Sequence, residues 1–385
     1  MKMQRIAALT KKELKKTIRE PAVLFMIFLF PIVFVFAFGA SFGGVGGSQT
    51  VTYHIGVVNM DLGSSVNASQ TVLAALTDTK IINIHAYVDN QTAQNALSQG
   101  NVQAVMVIPS DFSQSLASYQ AAPENPAQWI NTTVSLYLDQ GSLVATQAIP
   151  PIIQQTLTAM AGQSQQTLSP FKVQTASLVE VKTNPALNFI APGMFTFASI
   201  FLIMMVAQSF TQDKENGMMK RIRITPTTPT EFMTSQVISY MGIALIQAAL
   251  VFAMTYALGF RPSIGISTYV FAFTLVLIFS VSNVGFGLIT ATISKSAGAA
   301  TGLSFLFVLP QLFLGTFVGA SLSSSTQIVG KFVPSYYVTN ALTSLFLRGA
   351  AITSPAILLD FAVVSVSCVA ILAVGVALYA KYYKV

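Results

Sequence analysis

Six long apolar stretches, separated by polar segments, dominate the pattern of hydrophobic and polar positions along the chain. Crossing the hydrocarbon core of a bilayer takes about 20 mostly apolar residues. The pattern therefore predicts six transmembrane helices, at residues 22–42, 187–210, 232–258, 268–293, 299–320 and 356–380. Pro31 and Pro310 lie inside two of them and predict helix kinks. Residues 332–350 hold an apolar turn too short to cross, which predicts a re-entrant or interfacial segment.

Residues 43–186 have a different pattern, in which strand-like and helix-like segments alternate. Strands are predicted at 53–60, 80–88, 101–108 and 134–138, and helices at 69–76, 91–98 and 142–166. The last helix is expected to be interrupted at Pro150 and Pro151. Alternation of this kind is typical of a sheet with helices packed on it. The predicted fold class is a polytopic α-helical membrane protein with six transmembrane helices and an α/β domain inserted between helices 1 and 2.

Residues 1–21 precede the first span and form a basic amphipathic segment. On a helical wheel, the apolar residues of 3–20 share one arc and the lysines and arginines occupy the opposite arc, with Leu9 as the exception. This arrangement predicts a helix that lies in the membrane interface with its cations near anionic headgroups. Two interpretations stay open: a simple anchor, or a lever that also contacts a cytoplasmic partner.

The distribution of lysine and arginine predicts the orientation of the chain. Fourteen of these residues flank one side of the predicted spans, whereas the short loops of the other side hold only Arg261, Lys331 and Arg348. Cytoplasmic loops carry the excess of positive charge in membrane proteins. The sequence therefore predicts a multi-pass protein of the cell membrane with both termini in the cytoplasm and residues 43–186 outside the cell.

Composition agrees with the membrane class. The chain is 53% hydrophobic and 9% charged, whereas soluble domains carry about 25% charged residues. The formal net charge of +7 does not indicate nucleic-acid binding, because the basic residues lie beside apolar stretches. The one cysteine, Cys368, lies in an apolar stretch, so no disulfide can form within one chain.

No catalytic or metal-binding constellation is visible in residues 43–186. The carboxylates are scattered, and His54 and His85 each lie within a predicted strand, where a surface or core role is the expectation. A metal site needs three or four clustered ligands, so no metal or catalytic residue is predicted, and a membrane enzyme ranks last among the possible functions. Three N-glycosylation sequons begin at Asn67, Asn90 and Asn131.

Polar side chains inside the predicted spans are candidates for a substrate path, since such groups tend to face protein or a cavity. Asn283 and Gln311 are two such amides, and Phe313 lies on a Phe-rich stretch suited to an amphipathic substrate. The competing interpretation is that the amides form hydrogen bonds between helices.

The loop after the second span carries the most informative motif, TQDKENGMMKRIRITP at residues 211–226. It resembles the coupling loop of permease subunits of type-2 ABC exporters, in which Glu-x-Gly is followed by a hydrophobic and basic stretch and a proline. The matching residues are Glu215, Gly217, Lys220, Arg221 and Pro226. The family often has threonine where this chain has Met218. The order of amphipathic start, first span, large domain and five further spans is similar to the branch with a large extracellular domain.

The resemblance implies a half-transporter that moves an amphipathic, drug-like or lipid-like substrate outward. Two permeases, as a homodimer or pseudo-dimer, would pair with two ABC ATP-binding subunits that hold ATP and Mg. Cofactors are expected on those partners and none on this chain, and the sequence has no G-x-x-x-x-G-K-[ST] phosphate-binding loop. Coupling to the ATPase is expected at Glu215, Gly217, Lys220, Arg221 and Arg223. Membrane lipids are expected partners, and nucleic acid is not.

A second class of function is also consistent with the sequence. A membrane-anchored receptor or interaction protein would use the extracellular domain to bind a ligand or partner without transport. Association with an ATP-binding subunit is the feature that separates the two.

Overall fold

The computed structural model describes residues 52–61, 68–160, 169–179, 185–218, 224, 229–316 and 328–382. The predicted N-terminal amphipathic helix and first span, at residues 1–42, lie outside the described residues. The first part of the described chain forms an α/β domain. Its elements are β1 (Tyr53–Asn59), α1 (Ala68–Asp78), β2 (Ile82–Ala86), α2 (Asn90–Ser98), β3 (Ala104–Ile108), α3 (Phe112–Ala121), β4 (Thr132–Leu138), α4 (Leu143–Met160) and β5 (Phe171–Ala176).

The five strands form one mixed sheet in the order β2-β1-β3-β4-β5. β1 pairs in parallel with β2 and with β3, β3 and β4 are antiparallel, and β4 and β5 are parallel. Parallel neighbours require crossover connections, which α1, α2 and α4 provide. The alternation of strands and helices along the chain thus produces a sheet with helices packed on it.

Helices cover the two faces of this sheet unequally. One face packs against α1, α3 and α4 through a large buried cluster that includes Leu76, Leu116 and Ile153. The other face packs against α2 through a smaller cluster that includes Val58 and Leu97. Because β1 contributes to both clusters, consecutive residues of this strand are buried, as expected for a strand covered on both faces.

The domain differs from the sequence-based prediction in three elements. Strand β5 and helix α3 were not predicted, and α4 is continuous through Pro150 and Pro151, so the expected interruption was wrong. Both prolines are partly or fully exposed, whereas Ile149 and Ile153 are fully buried. Burial of that apolar face holds the helix together although two backbone N–H donors are missing.

Seven further helices follow the domain in the part of the chain that the structure describes. They are α5 (Pro185–Ile200), α6 (Leu202–Glu215), α7 (Pro229–Ala257), α8 (Ile266–Ile293), α9 (Ala297–Gln311), α10 (Pro334–Phe346) and α11 (Pro355–Tyr382). Within the described residues, five segments are long and apolar enough to cross a membrane: Ile190–Glu215, Ile238–Ala257, Ile266–Ile293, Ala297–Thr316 and Pro355–Leu378. Helix α10, with 13 residues, lies within the predicted re-entrant segment and is not one of them.

Helix α8 is the centre of this bundle, since it contacts each of the other six helices. Its closest approach is to α11, at Gly285 and Gly375. A Cβ atom at Gly285 would lie 2.9 Å from the Leu372 Cα atom, and one at Gly375 would lie 2.7 Å from the Gly285 carbonyl oxygen. Small residues permit such close backbone contact between membrane helices. The close packing of α8 and α11 therefore depends on glycine at both positions, 285 and 375.

We expect Gly285→Ala to destabilise the protein, because the added methyl group would meet the backbone of α11 rather than a movable side chain. Overpacking of this kind typically costs about 1–3 kcal/mol. Thermal unfolding of the purified protein in detergent, followed by circular dichroism, should show a lower Tm.

Gly242→Ala is the matched control, because Gly242 is also helical and a Cβ atom there meets nothing within 4 Å. Its Tm should stay the same or rise slightly, since alanine favours a helix over glycine by about 0.5–1 kcal/mol. An equal loss of Tm in both variants would contradict the proposed close contact.

Candidate functional site

Polar groups from four helices meet at the predicted substrate-path residues Asn283 and Gln311. Both amides are almost completely buried, with 0% and 2% of their surface exposed. The Asn283 Nδ2 atom donates to the Ser199 carbonyl oxygen at 3.0 Å, and the Gln311 Nε2 atom donates to Asn283 Oδ1 at 3.3 Å. The backbone carbonyl oxygen of Gln311 accepts a 2.8 Å hydrogen bond from the Ser335 hydroxyl. The two side-chain amides and the Ser335 hydroxyl therefore link α5, α8, α9 and α10.

The contacts on α5 satisfy backbone carbonyl groups at an interruption between two helices. The second predicted span consists of two helices, because α5 ends at Ile200 and α6 begins at Leu202. Carbonyl groups in the last turn of α5 accept from side chains instead: Ser199 from Asn283, and Ala198 from the Gln247 amide at 2.6 Å. Backbone groups freed by a helix break inside a membrane must be satisfied by neighbours. The interhelical interpretation of Asn283 thus has direct geometric support.

Gln311 and Phe313 lie where α9 changes geometry. A π-helical turn, Leu312–Thr316, begins directly after Gln311, one residue beyond Pro310, at which a kink was predicted. Gln311 Oε1 is buried and has no hydrogen-bond partner within the described part of the chain. Phe313 is 6% exposed and packs against Leu309. One acceptor at this irregular turn is therefore available to a donor that the described residues do not supply.

The Glu-x-Gly motif lies at the end of the bundle far from the α/β domain. Helix α6 ends at Glu215, and Gly217 has a φ of +71° with open space around its Cα atom. A left-handed glycine of this kind is a common helix terminator, so the motif glycine is explained by backbone conformation. The Lys214 ammonium donates to the Ser294 carbonyl oxygen at 3.2 Å, which joins this end of α6 to the end of α8. Lys220, Arg221, Arg223 and Pro226 lie outside the described residues.

A buried ion pair joins the α/β domain to the helical bundle. Arg348, just after α10, places its Nη2 atom 2.8 Å from Asp139 Oδ2, and its Nε atom lies 3.0 Å from both carboxylate oxygens. The two side chains are 13% and 2% exposed. Burial by itself lowers the pKa of Arg348, but the adjacent Asp139 carboxylate more than offsets this and raises it above its usual value. The Arg348 guanidinium therefore stays charged.

The same guanidinium extends the contact into the first turns of α11. Its Nη1 atom lies 3.0 Å from Ser344 Oγ and 3.3 Å from Asn340 Oδ1, and the Asn340 amide donates to Asp360 Oδ2 at 2.8 Å. Asp360 is 3% exposed. A chain of polar contacts thus runs from the sheet domain through α10 to a carboxylate near the start of α11. We refer to Asp139, Arg348, Asn340 and Asp360 as the junction network.

Sequence reasoning missed the junction network, because it placed its members in separate classes. Arg348 was counted as a loop charge, and Asp139 as one of several scattered carboxylates. A local signal existed in the short Leu-Asp-Gln-Gly segment at 138–141, which ends β4 with an acidic residue before a glycine. The Asp139 carboxylate accepts from the Gly141 N–H at 2.9 Å, and a Cβ atom at Gly141 would overlap Thr343 of α10. Such tertiary proximity is not visible in the sequence.

The two histidines also come together. His54 Nδ1 and His85 Nε2 lie 3.0 Å apart on neighbouring strands, at hydrogen-bond distance. Desolvation, and then the nearby His85, lower the pKa of His54. Within the described ranges, no group of three or more potential metal ligands occurs. Of the sequons, Asn90 begins α2, Asn131 is exposed before β4, and Asn67 lies outside the described residues.

We expect Arg348→Gln to destabilise the protein strongly, because it leaves the Asp139 carboxylate buried without its cation. Breaking a buried pair from one side typically costs about 3–5 kcal/mol. Thermal unfolding in detergent should show a marked fall in Tm.

The double variant Asp139→Asn with Arg348→Gln should recover much of that loss, because the carboxylate that pairs directly with Arg348 is removed together with it. Lys331→Gln, at an exposed cation on the same end of the bundle, is the control and should leave Tm unchanged. A double variant as unstable as Arg348→Gln would refute the importance of the charge pairing.

Comparisons with known proteins place this arrangement in a family. Residues 21–379 match the family described as ABC-2 family transporter protein. The probable multidrug ABC transporter permeases YbhS and YbhR of Escherichia coli (strain K12) are 25% and 23% identical to this chain, over 90% of it and 89% and 91% of their own lengths. The ABC transporter G family member 20 of Dictyostelium discoideum is 24% identical over 93% of this chain, which spans 48% of that protein.

The family match covers nearly the whole chain, including every candidate membrane span of the described residues. The chain therefore belongs to the ABC-2 family of transporter proteins.

Proposed function

We propose that this protein is the membrane-spanning permease subunit of an ABC exporter and that a separate subunit hydrolyses the ATP. The observation that carries the proposal is the family match over residues 21–379, in a chain whose described part has five apolar helices of membrane-spanning length. Relatives named as probable multidrug permeases support export as the direction of transport. ATP and Mg would be held by the ATP-binding subunit.

The proposed topology has six spans, with residues 22–42 as the first, both termini in the cytoplasm and the α/β domain outside the cell. It is supported by the fourteen lysines and arginines on the predicted cytoplasmic side. The junction network is consistent with it, since Arg348 meets the α/β domain at the end of the bundle where α10 lies. Three sequons in this domain would then be accessible to glycosylation.

The proposed coupling site is the segment from Glu215 to Arg223. Glu215 is exposed at the end of α6, where it could pair with a basic residue of the ATP-binding subunit. The Lys214 contact with Ser294 would pass a displacement of this segment to α8, the helix on which the bundle is built. A movement of the Glu215–Arg223 segment would thus reach the transmembrane helices directly through this contact.

The proposed assembly contains two permeases and two ATP-binding subunits, and its substrate is amphipathic. The buried Gln311 Oε1 atom, which lacks a partner in the described chain, supports a polar contact point on the path, and Phe313 supplies an apolar neighbour two residues away. Asn283 would hold Gln311 in place rather than contact substrate, because its amide group already bonds Ser199 and Gln311.

Co-expression with an ABC ATP-binding subunit tests the function. We expect the two chains to purify together and the complex to hydrolyse ATP faster than the ATP-binding subunit alone. Glu215→Lys should reduce that stimulation several-fold, because reversal of the charge replaces an attraction by a repulsion across the interface.

Lys331→Glu is the matched control, since it also reverses one exposed charge but at the opposite end of the bundle. It should leave the stimulation intact. Purification without any ATP-binding subunit would favour the receptor alternative, and equal ATPase stimulation in wild type and Glu215→Lys would remove Glu215 from the coupling site.

Single-cysteine labelling tests the topology, and Cys368→Ala provides a cysteine-free background. Asn131→Cys in the α/β domain and Asn216→Cys beyond α6 are both exposed positions. A membrane-impermeant maleimide should label Asn131→Cys on intact cells and Asn216→Cys only after lysis. The reverse pattern would overturn the proposed orientation.

A further inference from the structure

An aromatic cavity opens at the end of the bundle that carries the α/β domain. It has a volume of about 430 Å³ and lies between α5, α7, α8 and α10. Its walls consist almost entirely of rings and small side chains, from Phe195, Phe252, Ala253, Thr255, Tyr256, Phe260, Tyr269 and Phe346. None of these residues is among the substrate-path candidates of the sequence. The size is in the range of pockets that bind small molecules, roughly 300–1,000 Å³.

The rings form one connected group around Phe346, which is fully buried. The ring centroids of Phe195, Phe260 and Tyr269 lie 5.9, 5.8 and 5.8 Å from that of Phe346, and Phe195 and Phe252 are 4.2 Å apart. Mutual packing of this kind holds the walls in place. The cavity therefore has a defined shape rather than a collapsible one.

The hydroxyl groups of Thr255 and Tyr269 in the wall are already engaged. The Thr255 hydroxyl donates to the Val251 carbonyl oxygen at 2.8 Å, and the Tyr269 hydroxyl donates to the Pro262 carbonyl oxygen at 3.2 Å. A polar group placed inside would lose its water without gaining a strong partner, which is unfavourable. The interior accordingly suits an apolar chain or ring.

A cation lies beside the opening. Tyr256 lines the cavity and is 54% exposed, and the Arg261 guanidinium carbon lies 4.5 Å from its ring centroid. Arg261 is exposed, and no carboxylate of the described chain lies within ion-pair distance of it. The Arg261 Nε atom donates to the Tyr256 carbonyl oxygen at 3.5 Å. Stacking on the ring restrains the guanidinium while its Nη donors can face an anion.

We propose that this cavity binds the apolar part of an anionic amphiphile and that Arg261 contacts its phosphate or carboxylate headgroup. The aromatic wall suits an acyl chain, and the Arg261 cation beside the opening selects the sign of the headgroup. Two sources supply this chemistry: a resident membrane lipid, and a molecule that the transporter exports. Binding itself does not depend on ATP hydrolysis.

Native mass spectrometry of the full-length protein, with phosphatidylglycerol or phosphatidylcholine added to the detergent, tests the proposal. Wild type should retain phosphatidylglycerol preferentially. Ala253→Trp fills the cavity and should weaken this binding about tenfold, whereas Arg261→Gln should weaken it about fivefold, the effect of one cation near a membrane surface.

The controls separate the cavity from the general lipid surface. Ala249→Trp adds the same indole to an exposed position one turn earlier on α7, and Lys331→Gln removes an exposed cation elsewhere on the same end of the bundle. Both should bind phosphatidylglycerol as wild type does. Unchanged binding in Ala253→Trp, or equal losses in the controls, would overturn the proposal. Because Arg261 is exposed, its variant gives a result even if Ala253→Trp is poorly produced.

The complex with the ATP-binding subunit distinguishes the two sources. If the amphiphile is exported, ATP hydrolysis in phosphatidylcholine vesicles should rise as phosphatidylglycerol is added, and Ala253→Trp should abolish the rise. If it is a resident lipid, hydrolysis should be independent of added phosphatidylglycerol while the mass-spectrometric difference persists. Either result retains the binding site, and neither depends on whether the coupling role of Glu215 is correct.

Discussion

A buried polar group without a hydrogen-bond partner is costly, and the architecture of the bundle depends on how that constraint is met around α8. Asn283, at the middle of α8, bonds the free carbonyl of Ser199 and the amide of Gln311. On another side, Gly285 allows the backbone of α11 to approach within van der Waals distance. Helix α8 therefore contacts the interrupted span of α5 and α6 through the Asn283 amide. It contacts the continuous helix α11 through Gly285. Replacement of Asn283 would remove the hydrogen bonds to Ser199 and Gln311, and replacement of Gly285 would push α8 away from α11.

The junction network meets the same constraint at the boundary between the α/β domain and the helical bundle, because each of its buried polar groups has a partner. A sheet domain and a helical bundle have different periodicities, so their surfaces do not interlock through regular ridges. Arg348 bridges the mismatch, because its planar fork reaches the carboxylate at the end of β4 and the polar side chains of α10 together. Gly141 gives the close approach that this requires. The junction network thus helps to fix the orientation of the domain on the bundle.

Local patterns in the sequence were sufficient to predict most helices and strands. They were insufficient to predict which distant residues form a site. The apolar stretches of α8 and α11 are long and uniform, so hydropathy locates them without tertiary information. Strand β5 escaped notice because only Phe171 of its residues is deeply buried, which leaves little alternation to detect. The prolines of α4 predicted a helix interruption that does not occur. Burial of Ile149 and Ile153 stabilises the helix more than the prolines destabilise it. Asp139 and Arg348 are 209 positions apart, and no periodicity connects them.

Helix α10 is where these separate features converge. Phe346, near its end, is the ring around which the aromatic cavity is built, and Arg348 lies two residues later in the junction network. Ser335, near its start, bonds the carbonyl of Gln311 at the irregular turn of α9. A rigid helix of 13 residues cannot move at one of these points without strain at the others. A ligand in the cavity, the position of the α/β domain and the geometry around Gln311 would therefore all act on the same short helix, which makes α10 the element through which they can influence one another.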